Sequence, residues 1–177
     1  MSEQQISELD QYLTFTLGDE LFALDIASVR EILDDTNITR IPRTPEFMRG
    51  VLNVRGHAVP VVDLRLKFGM SRSEMTVNTC VIITEVEMEG ERAILGALAD
   101  SVQEVVEMPP SQIDPAPRMG AAIDVQFIKG MGKRNDRFII ILDIDRVFSA
   151  QELAAVSAAG GGRPAEAEAA ESAPAAP

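Results

Sequence analysis

The chain has 177 residues, 46% hydrophobic and 25% charged, with a formal net charge of −12. That is the composition of a globular protein, and no apolar run nears the ~20 residues a membrane-spanning helix needs. Residues 151–177 carry four glutamates and one arginine, which leaves −9 on residues 1–150; with no tryptophan, one tyrosine and no Lys/Arg stripe, a surface that tracks phosphates and stacks on bases is excluded.

Residues 1–11 are polar and predict a flexible N-terminus without the charged and apolar regions of a secretory signal. In "YLTFTLGDELFALDI", Leu13, Phe15 and Leu17 alternate with Tyr12, Thr14 and Thr16, the period of a half-buried strand. A turn at Gly18-Asp19-Glu20 and a return strand over 21–26 complete a hairpin. "ASVREILDD" (27–35) changes period. Val29, Ile32 and Leu33 are spaced as on a short helical face, with Ser28 and Glu31 placed as a capping box.

Residues 41–50 hold two prolines and read as a loop; strands over 51–54 and 57–63 follow, joined by the Arg55-Gly56 bend. Residues 64–68 read as a helical turn and 71–78 as a polar loop. A second hairpin spans 78–100, turning at Glu89-Gly90, and a strand spans 101–108. The proline-rich stretch 109–122 cannot be a regular ladder strand. Residues 136–148 predict a buried strand running into a helix that reaches Val156. From 157 to 177 the chain is dominated by alanine, glycine, glutamate and proline, with no core-forming residue, and predicts a disordered tail; an alanine-rich helical continuation would end at the glycine run. Short strands about every ten residues point to small β-barrels, and a hydrophobic hairpin in each half hints at two of them.

The chemistry is sparse. One histidine, His57, and one cysteine, Cys80, rule against a zinc site and leave no catalytic dyad or triad to build. There is no GxxxxGK[ST] loop and no GxGxxG. Asp143 and Asp145 sit at a strand-to-helix junction, where capping is the expected role. Cys80, inside "CVII", reads as buried and inert, and a lone cysteine fits a reducing, cytoplasmic setting. No cofactor is implied. A β-rich protein without catalytic groups is more often a binding module than an enzyme.

Three segments together resemble one family: "VREI" (29–32), "IPRTPEFMRGVLNVRGHAVPVVDLRLKFG" (41–69) and "GMGKRNDRFIIILDIDRVF" (130–148). They are similar to CheW, the bacterial chemotaxis coupling family, over about residues 12–156. The resemblance implies a mainly β fold: two packed SH3-like five-stranded β-barrel subdomains with short helices and a C-terminal helix. It implies a non-enzymatic adaptor. Such an adaptor links the cytoplasmic tip of methyl-accepting chemoreceptors to the regulatory domain of the histidine kinase CheA, with no nucleic-acid partner and no direct membrane insertion. Val54 stands where leucine is common in the family's bend motif.

The resemblance also places receptor-binding residues at Val29, Glu31, Ile32, Gly50 and Arg55, in a groove between the barrels. An arginine fork suits this work because it can hold a carboxylate or carbonyl in two-pronged fashion. Read alone, Arg55 is a solvated turn residue, Ile32 a core residue, and Gly50, Gly130 and Gly132 turn glycines. Met119 is either a loop anchor or a contact to the kinase regulatory domain in an array. The competing function is a small β-barrel enzyme or ligand carrier that uses Arg55 and His57 on an anionic small molecule.

Overall fold

The apolar runs become strands buried on both faces, which builds three hydrophobic clusters among the described residues. The computed structural model describes residues 11–34, 36–72, 74–88, 90–116 and 125–160. Its strands are β1 (Gln11–Leu17), β2 (Glu20–Asp25), β3 (Val29–Leu33), β4 (Met48–Val54), β5 (His57–Asp63), β6 (Cys80–Met88), β7 (Glu91–Ala99), β8 (Ser101–Glu107), β9 (Ile113–Asp114), β10 (Ile128–Arg134) and β11 (Arg137–Leu142). Its α-helices are α1 (Leu64–Lys67), α2 (Ile144–Val147) and α3 (Ala150–Gly160), with 3₁₀ turns at Ile26–Ser28, Pro110–Gln112 and Val125–Phe127.

Two sheets form, in the orders β8-β1-β2-β11-β10-β9 and β3-β6-β7-β5-β4. We call them barrel one and barrel two. Each joins two antiparallel hairpins through a parallel pair, β11 with β2 and β5 with β7. Barrel membership does not follow the halves of the chain: the first hairpin joins the last one, and residues 29–99 supply barrel two between them.

Strand alternation sorts the side chains. Along β6, Val81 and Ile83 fill barrel two, while Ile82 and Val86 join the core shared with barrel one. Along β11, Ile139 and Ile141 fill barrel one, while Leu142 faces the shared core. The unbroken runs "CVII" and "FIIIL" are thus strands buried on two sides. The shared core is the largest cluster. A train of rings, Phe15, Phe22, Phe68 and Phe127, crosses it at centroid spacings of 6.0, 5.7 and 6.0 Å.

The structure also shows an internal repeat. Phe47, Met48, Arg49, Gly50, Asp63 and Phe68 recur as Phe127, Ile128, Lys129, Gly130, Asp143 and Phe148, each eighty positions later (47 to 127). The β4–β5 and β10–β11 hairpins share a register shift, at Met48/Gly50 and at Ile128/Gly130. In both, the aspartate that ends the hairpin donates its backbone N–H to the phenylalanine that precedes it, Asp63 to Phe47 at 2.6 Å and Asp143 to Phe127 at 2.9 Å.

Several expectations change. Residues 29–33 form a strand, not a helical face, because β3 pairs with β6 over Val29–Leu33. Ser28 and Glu31 form no capping box: Asp25 caps the short 3₁₀ turn by accepting from the Ala27 N–H at 2.9 Å. In the proline-rich stretch 109–122, the described residues 109–116 hold only a two-residue strand, β9. β10 was not anticipated from its glycine- and lysine-bearing sequence. Asp143 takes the N-cap position of α2 without a side-chain capping bond; its carboxylate lies 3.6 Å from Arg146. Asp145 instead accepts from the Glu87 N–H at 2.8 Å, tying α2 to barrel two. Of the two terminal segments, Gln11 opens β1 and α3 runs to Gly160; residues 1–10 and 161–177 lie outside the described residues, as does Met119.

Candidate partner-binding site

Arg55 and Gly56 form the two-residue turn of the β4–β5 hairpin, with φ of +51° and +87°. Positive φ at both positions is the mirror-image turn whose twist matches the flanking strands, and Asn-Gly is the pair that adopts it most easily. Arginine therefore stands in a conformation that a β-carbon disfavours. Asn53 supports the bend, its Oδ1 accepting from the Gly56 N–H at 2.8 Å.

The guanidinium does not simply point into water. Its two nitrogens grip the Glu31 carboxylate, Nη1 lying 3.3 Å from Oε1 and Nη2 bonding Oε2. Arg55 remains 71% exposed and Glu31 28%. The Arg55 hydrogen bond holds the Glu31 carboxyl below its ordinary range, and the same bond raises the guanidinium. Both groups therefore stay charged through the neutral range. The pair spans barrel two from one edge strand, β3, to the hairpin that ends in the other, β4.

A bulge in β3 decides which neighbours share a face. Register shifts between Val29 and Glu31, which pair with Thr84 and Ile83. The extra residue, Arg30, turns Val29 to the side of Ile32 and away from Glu31. Val29 packs partly against the shared core, and Ile32 pairs beside Ile82 of that core yet is 41% exposed. Ile32 is thus an apolar surface residue and not the core residue its spacing implied. Arg30 swings out to Glu85 at 3.0 Å.

Gly50 does not join this surface. It is buried, with φ of +143°, and a β-carbon there would lie 2.1 Å from the Thr39 carbonyl oxygen. Thr39 and Val51 exchange two backbone hydrogen bonds of 2.8 Å across this point. Gly130 and Gly132 are crowded instead by side chains, with Ile113 Cγ2 at 2.5 Å and Met108 Sδ at 2.4 Å of a would-be β-carbon.

The repeat reveals residues that the sequence reading missed. Val102, Glu104 and Val105 stand against β1 as Val29, Glu31 and Ile32 stand against β6. The signal was available as V-x-E-[IV], read at 29–32 and again at 102–105. Glu104 approaches Arg134 at 3.9 Å, and Val105 is exposed.

The groups needed for chemistry do not converge. His57 is exposed beside the turn, and the Arg55 fork that an anion would use is already filled by Glu31. Among the described residues no three His, Cys, Asp or Glu side chains are grouped to hold a metal ion. A cleft of about 350 Å³ lies between the barrels, lined by Asp25, Glu85, Arg92, Lys129 and Asp143 among others, with neither His57 nor Cys80 in it. Cys80 is half-buried, and burial pushes its thiol up, with Asp34 adding to the effect. Among the described residues no helix is long and apolar enough to cross a membrane.

The family model of the CheW-like domain matches residues 11–152, which takes in both barrels and the start of α3. The chain belongs to the CheW-like family. It is 37% identical over 146 residues to the chemotaxis protein CheW of Klebsiella aerogenes, covering 82% of this chain and 86% of that one. To the chemotaxis protein CheW of Helicobacter pylori it is 30% identical over 145 residues, 82% and 85% of the two chains. Its fold is similar to the crystal structure of the scaffolding protein TtCheW from Thermoanaerobacter tengcongensis, at a TM-score of 0.71 and 35% identity, covering 81% of this chain and 90% of that one. The CheW fold expected from the sequence, mainly β and in two barrels, is the one observed.

Proposed function

We propose that this chain is a chemotaxis adaptor that couples transmembrane chemoreceptors to the histidine kinase CheA and acts by binding alone. The observation that carries the reading is the Arg55 turn. An arginine held at positive φ, in a fork around Glu31, is a strained and charged feature maintained at the tip of an exposed hairpin. Strain of this kind concentrates where function needs a fixed direction. Ile32 adds exposed apolar surface on the strand that carries Glu31. A receptor tip is a helical hairpin, and an apolar helix face with a few polar anchors matches this pairing of side chains.

The residues proposed to meet the receptor are Val29, Glu31, Ile32 and Arg55. Gly50 serves them indirectly, through the backbone bridge it permits. The kinase regulatory domain is proposed to dock elsewhere, with Met119 as a contact. The adaptor core is proposed as residues 12–156, working in the cytoplasm, with residues 157–177 outside that core.

The test is a pair of titrations, a receptor-tip fragment and the kinase regulatory domain, against the wild type and Arg55→Asp. Removing one partner of a charged contact that is desolvated on binding speeds dissociation by about tenfold or more, so receptor affinity falls by at least that factor. Kinase affinity stays where it is, and the melting temperature falls only slightly, because the Arg55–Glu31 pair that is broken is largely exposed. A change in receptor affinity under about threefold, small against the tenfold step of one ordinary contact, refutes the reading. So does a parallel loss of both affinities with stability.

A further inference from the structure

Lys67, at the end of α1, sits in a setting that the binding site does not explain. Its ammonium donates to both oxygens of Glu152, at 2.8 and 2.7 Å, and is 14% exposed as a side chain. Three rings surround it: Phe47 and Phe127 at 5.4 Å and Phe148 at 5.7 Å from their centroids. Phe47 leads into β4, Phe127 leads into β10, and Phe148 joins α2 to α3. One cation therefore touches barrel two, barrel one and the C-terminal helix. Stacked charge and ring faces of this kind are most effective when shielded from water.

Glu152 has a second duty. The Ser149 N–H donates to Glu152 Oε1 at 2.9 Å, and the Glu152 N–H donates to Ser149 Oγ at 3.1 Å. This is a capping box at the start of α3. The same carboxylate begins the helix and anchors it. Beyond it, α3 reaches the shared core through Leu153 and Val156. It lies against β5 and β4, the hairpin that carries Arg55.

Along its length that hairpin is held by the barrel-two core, where Leu52, Val54, Val59 and Val61 pack, and at its tip by the Glu31 grip on Arg55. β5 pairs with β7 at only Val61, Val62 and Asp63. On the outer edge, β4 meets, among the described residues, only the Thr39–Val51 bridge. The turn at Arg55 projects beyond the β5–β7 pairing, so the seating of the hairpin's base contributes to its direction. There Met48 and Val62 share the core with Leu153 and Val156.

We propose that the Lys67–Glu152 contact is a latch that positions the partner site: by holding α3 against the β4–β5 hairpin, it fixes the direction in which Arg55 is presented. The proposal rests on Arg55 being the receptor anchor. Lys67 and Glu152 are positioning residues and do not touch the partner.

Two variants break the latch differently. Lys67→Met keeps the capping box, and Glu152→Gln keeps the cation among the rings. Each is tested for receptor-fragment binding in the wild-type and Arg55→Ala backgrounds, with a melt as the folding control. Contacts that act through one another are non-additive, so each variant weakens binding at least about fivefold in the wild type and less than about twofold with Arg55→Ala. A second readout needs no partner. Exchange of the Gly56 amide quickens at least about tenfold while amides of β6 and β7 keep their rates, as for a local opening. Equal losses in both backgrounds, undiminished binding, or unchanged Gly56 exchange overturns the proposal. A wild-type chain that does not bind the fragment overturns the receptor reading instead, and the exchange measurement then decides the brace by itself.

Discussion

Gly50→Ala isolates the backbone contact on which the β4 edge depends. A β-carbon at this position lies 2.1 Å from the Thr39 oxygen, 2.7 Å from its carbonyl carbon and 2.9 Å from Ile38 Cγ2. Backbone cannot yield as a flexible side-chain end can, so the Thr39–Val51 bridge must open. Its two hydrogen bonds, at 2.8 Å each, are worth about 0.5–1.5 kcal/mol apiece. Holding alanine at a φ of +143° costs about 1 kcal/mol or more. The expected loss is about 3 kcal/mol, which in a chain of this size lowers the melting temperature by roughly 6–12 °C. Gly56→Ala is the control. It has a φ of +87° but nothing within 4 Å of the new methyl, so only the conformational cost of about 1 kcal/mol applies. Paired thermal and urea melts measure the difference. If Gly50→Ala melts within about 2 °C of the wild type, or no lower than Gly56→Ala, the close approach is not what demands glycine. Gly50 would then return to the list of contact residues.

Stability should respond to acid through carboxylates held low. The Glu31 carboxyl is lowered chiefly by the Arg55 hydrogen bond. For Glu152, burial acts to raise the carboxyl but is outweighed by the hydrogen bonds from Lys67 and Ser149. A depressed native pKa contributes stability above the unfolded value that is lost as pH falls through the native one. Melts from neutral pH down to about 5 are therefore expected to be flat, with a decline below the ordinary carboxylate value of 4.5; the gap between wild type and Glu152→Gln should close over that decline. A gap that stays constant to the acid limit refutes the role given to Glu152. Cys80, its thiol raised by burial, is expected to react with a disulfide reagent at mildly alkaline pH at least about tenfold more slowly in the native protein than in urea, since the thiolate is the reactive form. Equal rates would mean the site is open. The purified chain should hydrolyse or phosphorylate nothing, and turnover abolished by His57→Ala would favour the ligand-processing alternative over the adaptor.

The helical spacing expected over 27–35 shows how tertiary structure overrides a local pattern. Val29, Ile32 and Leu33 have the separations of a helix face. In the folded chain the β3 bulge brings Val29 and Ile32 to one side of a strand. One inserted residue gives a strand the three-residue spacing of a helix, and five residues are too few to separate the two by period. β10 was hidden for another reason. Gly130 and Gly132 weaken its strand signal, and they are glycines because Ile113 and Met108 fill the space where side chains would stand.

Much of the architecture needs only the sequence. Alternation over 12–17, the apolar runs at 80–83 and 138–142, and the Arg55-Gly56 bend specify strands and turns through local sterics and burial. The ordered motifs of 29–32, 41–69 and 130–148 identify the family. What only the tertiary structure decided are relations between distant residues. The first hairpin pairs with the last. Glu31 lies in the fork of Arg55, 24 positions away. Glu152 reaches Lys67 across 85 positions. Glu31, Arg55, Lys67 and Glu152 are charged side chains with no period to reveal their partners. Charge and hydrogen bonding select partners by proximity, and proximity is set by the two-barrel topology, after the local pattern has done its work.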